Sequence, residues 1–168
     1  MKMRHNISIL VENHSGVLAR VASLFARRGF NIESLAVGTT ANPSISRISV
    51  SVVADDPEII QIVKQLHKLP IVLKVKRLER DAHFTRELAF IKVTCDDRTR
   101  TPVLQIVDIF RGHIVDVSPR TATVEISGDS DKIEALMELI APFGILEVVR
   151  TGQISIERGD RVLSLENE

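Results

Sequence analysis

Chemistry in this chain would have to come from five histidines, one cysteine and a few adjacent carboxylates. None of His5, His14, His67, His83 and His113 stands three or four positions from another histidine or from Cys95, the spacing a zinc site would use. His67 falls at a helix end and suits a structural role, and Cys95 falls on the apolar face of a strand, where a buried structural thiol is expected. There is no Gly-x-Gly-x-x-Gly, no phosphate loop and no Gly-x-Ser-x-Gly. Asp55-Asp56 and Asp96-Asp97 adjoin helix starts, where capping and the helix dipole account for paired acids. No catalytic residue and no metal ligand emerges.

What remains is a site made of backbone. Asn13-His14-Ser15-Gly16 forms a turn between an apolar strand and a helix. Glycine lets the chain turn closely, and a side chain at 16 would crowd the turn. Free N–H groups at the helix start can hold a carboxylate. Asn13 can donate and accept, and Asn31 is a polar residue in an apolar stretch. Asn and Gly also occur in turns for purely local reasons, and spacing alone does not decide between the two readings.

The elements that must position this turn read clearly. Ile7, Ile9 and Val11 alternate as a half-buried strand. Val17, Val21, Leu24 and Phe25 recur at helical spacing, and Gly29 stops that helix. Phe30 to Val37 reads as a second strand and Ile48, Val50 and Val52 as a third. Asp56-Pro57 starts a helix carrying Ile59, Ile62, Val63 and Leu66. Leu73 and Val75 mark a fourth strand. After the charged stretch 79–87 the order repeats. Ala89, Ile91, Val93 and Cys95 alternate, and Val103, Ile106, Val107 and Phe110 form a stripe ended by Gly112. Strands follow at Ile114–Val117 and around Ala122, Val124 and Ile126. A helix capped by Asp129-Ser130 carries Ile133, Leu136, Met137 and Ile140, and Leu146 and Val148 mark the last strand.

The pattern predicts an α+β chain of two ferredoxin-like βαββαβ domains, each a four-stranded antiparallel sheet with two helices on one face. The expected bounds are 1–78 for the first domain, 79–87 for a linker, 88–160 for the second domain and 161–168 for a polar tail. Helices cover one face of each sheet, and each core is small, so the other face or an edge needs cover. Dimerisation supplies it, and a homodimer is expected.

Composition excludes several classes. The 168 residues carry 22 Lys and Arg against 22 Asp and Glu, which leaves no basic field for nucleic acid. Aromatics are 4%, without Trp or Tyr, so stacking platforms for single strands are missing. No apolar run is long enough to span a membrane, and no leader pattern follows Lys2 and Arg4. A lone cysteine fits a reducing cytoplasm.

The run Ile7-Ser-Ile-Leu-Val-Glu-Asn-His-Ser-Gly-Val-Leu-Ala-Arg-Val21 through Phe25, then Arg28-Gly-Phe-Asn-Ile-Glu-Ser-Leu35, resembles the N-terminal ACT domain of the small, regulatory subunit of acetolactate synthase (acetohydroxyacid synthase). Gln65-Leu-His-Lys-Leu69, Phe110-Arg-Gly-His-Ile-Val-Asp116 and Arg158-Gly-Asp160 match the same family. The resemblance implies a subunit without catalytic residues. Its partner would be a catalytic (large) subunit holding thiamine diphosphate, Mg and FAD, which condenses two pyruvates to 2-acetolactate and CO2. It implies activation of that subunit and feedback inhibition, usually by valine, in branched-chain amino acid biosynthesis. It also implies that the effector lies between two copies. Asn13, Gly16, Val17 and Asn31 would then stand at the amino acid, with His14, Ser15, Leu18 and Ile32 nearby. The backbone amides would meet the carboxylate, the Asn side chains and carbonyls the ammonium, and Val17, Leu18 and Ile32 the apolar side chain. Two rival readings find no support in the residues. An acylphosphatase needs an Arg in the first turn, and a transcriptional sensor needs a DNA-binding segment.

Overall fold

The computed structural model describes residues 1–166. Two compact units result: Met1–Phe84 joined by the chain from Gln153 onward, and Thr85–Gly152.

The first unit contains β1 (Met3–Glu12), α1 (Val17–Arg27), β2 (Ile32–Thr39), β3 (Ile45–Ala54), α2 (Asp56–His67) and β4 (Val72–Arg77). The sheet order is β2-β3-β1-β4, with every neighbouring pair antiparallel. Alternation along β1 and β3 sends Ile7, Ile9, Val11, Ile48, Val50 and Val52 to one face. There they meet Val17, Val21 and Phe25 of α1 and Ile59, Ile62 and Leu66 of α2. Removing the buried ring of Phe25 would cost about 3–5 kcal/mol, a large share of a small domain's stability. Asp55 starts α2 through a full capping box with Glu58, one residue earlier than the Asp56-Pro57 motif suggests.

The second unit repeats the plan with β5 (His83–Thr94), α3 (Arg100–Ile109), β6 (His113–Val117), β7 (Thr121–Gly128), α4 (Ser130–Ile140) and β8 (Ile145–Arg150). Its order, β6-β7-β5-β8, is the first sheet's order over again. Ile91, Val93 and Val124 pack on Val103, Val107, Ile133, Leu136 and Ile140. Arg150 pairs with the buried Glu87 and, at 2.6 Å, with Glu134. The left-handed residue after α3 is Arg111 at φ 56°, not Gly112. Gly112 is needed for close approach instead, because a Cβ there would lie 3.1 Å from both the Glu125 carbonyl and the Val107 side chain.

Two expected bounds shift. The charged stretch 79–87 is not a free linker throughout, since β5 begins at His83. Residues 153–160 group with the first unit rather than the second, because β9 (Ile154–Glu157) carries polar groups that match the polar outer face of the first sheet. Ser51 donates to the Gln153 side chain, the Gln153 N–H donates to Ser34, Arg47 donates to the Ser155 carbonyl, and Lys76 pairs with Glu157 at 2.8 Å. Lys74 donates to the Ser164 carbonyl, so part of the expected 161–168 tail lies there too; residues 167 and 168 are outside the described residues. β9 also pairs with β5, whose first two residues belong to the first unit. Part of the cover that the one-sided layer calls for thus comes from the chain itself. No described helix is long and apolar enough to cross a membrane.

Candidate functional site

The turn after β1 is anchored on both strands beside it. Glu12 N–H donates to Ile71, Asn13 N–H donates to Ser44, and the Asn13 side-chain amide donates to the Pro43 carbonyl at 2.8 Å. That fixes the side-chain orientation and leaves its oxygen to accept from a ligand. Gly16 then adopts φ 86° and starts α1. No side chain caps this helix start, and its first turn holds no acidic residue.

The other helices differ. Asp55 caps α2 and Asp129 caps α4. Ahead of α3, Asp96 accepts from the N–H groups of Arg98 and Thr99, which hold its carboxyl below the usual range. Helix α3 itself, like α1, has no side-chain cap, but the turn ahead of it holds the Asp96 carboxylate, and among the described residues the turn ahead of α1 has no carboxylate in that position. An uncapped helix start with a positive end is where an external carboxylate gains most.

His14 lies beside this turn and is exposed. Its Nε2 is 2.7 Å from Glu12 and its Nδ1 3.3 Å from the Ser15 carbonyl. The Glu12 contact first, then Ser15, raise its pKa above the ordinary histidine value. Ser15 is exposed and Leu18 is 41% exposed, so both face solvent at the turn. Val17 is placed otherwise. Its side chain belongs to the core, and only its backbone could meet a ligand. The apolar position expected there is filled by the fold itself.

Asn31 is exposed and Ile32 half-buried, at the head of β2. They do not join the turn within one chain. Ile32 lies level with Val52, which pairs with His5, while the turn follows Glu12, seven residues further along β1. At about 3.3 Å per residue that is more than 20 Å, far beyond the reach of one amino acid. The polar contacts of Arg47, Gln153, Ser155 and Glu157 were not legible as a group, because nothing in their spacing links residue 47 to residue 155. Among the described residues no group of three His, Cys, Asp or Glu could hold a metal ion.

Comparison with known proteins agrees with the repeat. The model of the acetohydroxyacid synthase small subunit-like ACT domain matches residues 7–74, and that of the small subunit of acetolactate synthase matches residues 86–159. The acetolactate synthase small subunit of Mycobacterium leprae is 50% identical over 157 residues, covering 94% of this chain and 93% of that one. The Aquifex aeolicus small subunit is 50% identical over 166 residues, covering 98% and 86%. The crystal structure of the Thermotoga maritima small subunit superimposes with a TM-score of 0.88 at 42% identity, over 95% of this chain and 99% of that one. Sequence, both sheets and their connections therefore lead to one conclusion: this chain belongs to the acetolactate synthase small subunit family.

Proposed function

We propose that this chain is a non-catalytic regulatory subunit that activates an acetolactate synthase catalytic chain and lets valine inhibit it. The observation that carries the effector site is the start of α1, which has no side-chain cap, no acidic residue in its first turn and, among the described residues, no carboxylate that accepts from the N–H groups of the turn ahead of it, whereas the turn ahead of α3 is closed by Asp96. An amino acid brings that carboxylate. Its ammonium would find the Asn13 oxygen and backbone carbonyls, and Leu18 offers exposed apolar surface.

The site is complete only in a dimer. β2 is an edge strand, and β1 and β2 run parallel because both pair antiparallel with β3. A two-fold axis that pairs β2 antiparallel with β2 of a second copy reverses that copy's direction. The second copy's Asn31 and Ile32 then fall at the end of the sheet where this chain carries its turn. Leu18, Ala22 and Ala26 share one flank of α1 by their four-residue spacing, and small side chains there suit close packing of two helices. The start of α3 carries Asp96 and no glycine, so the second unit would bind no effector.

Thiamine diphosphate, Mg and FAD would reside on the catalytic chain, where two pyruvates become 2-acetolactate and CO2. This chain's part is to bind, dimerise and transmit. The test is to mix it with the catalytic chain and assay acetolactate with and without valine. Expected are a higher rate on mixing and a fall on adding valine. No rate change on mixing removes the proposal.

A further inference from the structure

The flank of α1 opposite Leu18, Ala22 and Ala26 meets α2 in an open groove of about 460 Å³. Arg20, Arg27, Arg28 and Lys68 line it, over an apolar floor of Leu24 and Leu69, and no carboxylate does. None of these four cations enters an ion pair among the described residues, whereas Arg4, Arg77, Arg100 and Arg150 each do. α1 contains no acidic residue. The acids of α2 sit in its first turn, where Glu58 serves the cap and Lys2, and Asp56 pairs with Arg77.

Helix stability does not explain the cluster. Arg27, in the last turn of α1, complements the dipole, but Arg20 stands near the positive end, where a cation is opposed. Four like charges gathered on one wall repel one another, and they focus a field that attracts an anion. The wall runs from Arg20 to Arg28, about 12 Å of helix, longer than a single carboxylate or phosphate.

We infer that this groove is the docking site of an acidic segment of the catalytic chain, with carboxylates facing Arg20, Arg27, Arg28 and Lys68 and an apolar residue on Leu24 and Leu69. The inference rests on the regulatory reading above. Charge complementarity names the occupant. A second copy of this chain is not the occupant, because its seam lies on the opposite flank of α1 and the groove would face its own basic counterpart.

The experiment uses the full chain with Arg27→Glu and Lys68→Glu together, both exposed. Arg20 is left alone because its charge acts on His14 in the turn. Binding to the catalytic chain and acetolactate formation are measured at low and high salt, with dimer mass and valine binding measured on the small subunit alone. The wild-type chain should bind more weakly at high salt. The variant should bind about tenfold or more weakly at low salt, with its dimer and valine binding intact. The neutral variants Arg27→Gln and Lys68→Gln should each weaken binding about threefold, a check that does not depend on tolerating reversed charge. If the wild-type chain activates and both kinds of variant match it at each salt concentration, the groove is not the docking site. If the wild-type chain itself neither binds nor activates, the regulatory reading fails and this inference with it.

Discussion

Gly16 stands at φ 86° with no atom within 4 Å of where a Cβ would be. The crowding that the turn suggests in sequence is therefore absent, and a substitution acts through strain and charge. Gly16→Asp should cost about 1–2 kcal/mol of left-handed strain, less any relief from the tolerance of Asp for this region. It should also place a carboxylate where the effector's carboxylate belongs. Valine affinity should fall roughly ten- to hundredfold by calorimetric titration, while Gly16→Asn keeps most of it. Equal affinities in the two variants would remove the charge argument. His14 gives a second residue-level expectation. Its pKa is raised by Glu12 first and then by Ser15. A raised histidine contributes stability that is fully present below the unfolded value of about 6.5 and lost as pH rises through the folded value. The ring is exposed, so the contribution is small. Glu12→Gln should move the ring's titration down by NMR, and an unmoved titration would show that Glu12 is not the cause.

At the scale of elements, the edge strand β2 and the Leu18, Ala22, Ala26 flank of α1 carry the dimer prediction. Ala22→Glu should convert a dimer to a monomer across micromolar concentrations by sedimentation, with the fold intact by circular dichroism. A variant that stays dimeric places the seam elsewhere. Much of this architecture was readable. Period-two runs marked the strands around both cores, helical stripes marked all four helices, and Gly29 marked the end of α1. β9 was not readable, because its pattern is inverted. Gln153, Ser155 and Glu157 point inward to a polar face, while Ile154 and Ile156 are 58% and 56% exposed. Hydrophobicity assigns faces correctly only where the receiving surface is apolar. Val17, whose side chain lies in the core, shows a related limit. A residue at a helix start can serve the core or a ligand, and only packing decides.

For the whole molecule, the segment from Gln153 changes what counts as the first unit. Residues 1–80 alone keep the Arg47–Ser8 and Ser51–Asn6 bonds but lose the further partners of Arg47, Ser51 and Lys76 in 153–157, so a cut after Arg80 tests loss of cover as much as loss of the second unit. A cut after Gly152 separates the two. It removes several part-buried hydrogen bonds and the Lys76–Glu157 pair, whose lysine is 39% exposed and whose contribution is discounted for that. The expected loss is about 2–4 kcal/mol, confined to the first unit. Hydrogen exchange should quicken in β1 and β3 and stay unchanged in β7. Uniform protection in both would show that the segment adds nothing.

That arrangement makes Thr85–Gly152 an insertion within the first unit's chain. Order of synthesis and order of completion then differ. A ribosome makes β1 to β4 first, yet their outer face waits for Gln153 to Glu157, which emerge only after the whole inserted unit. The second unit can finish folding on the nascent chain while the first still shows a bare, charged sheet face. The half that would sense the amino acid is the first begun and the last closed, so a subunit still being translated would be unready to respond.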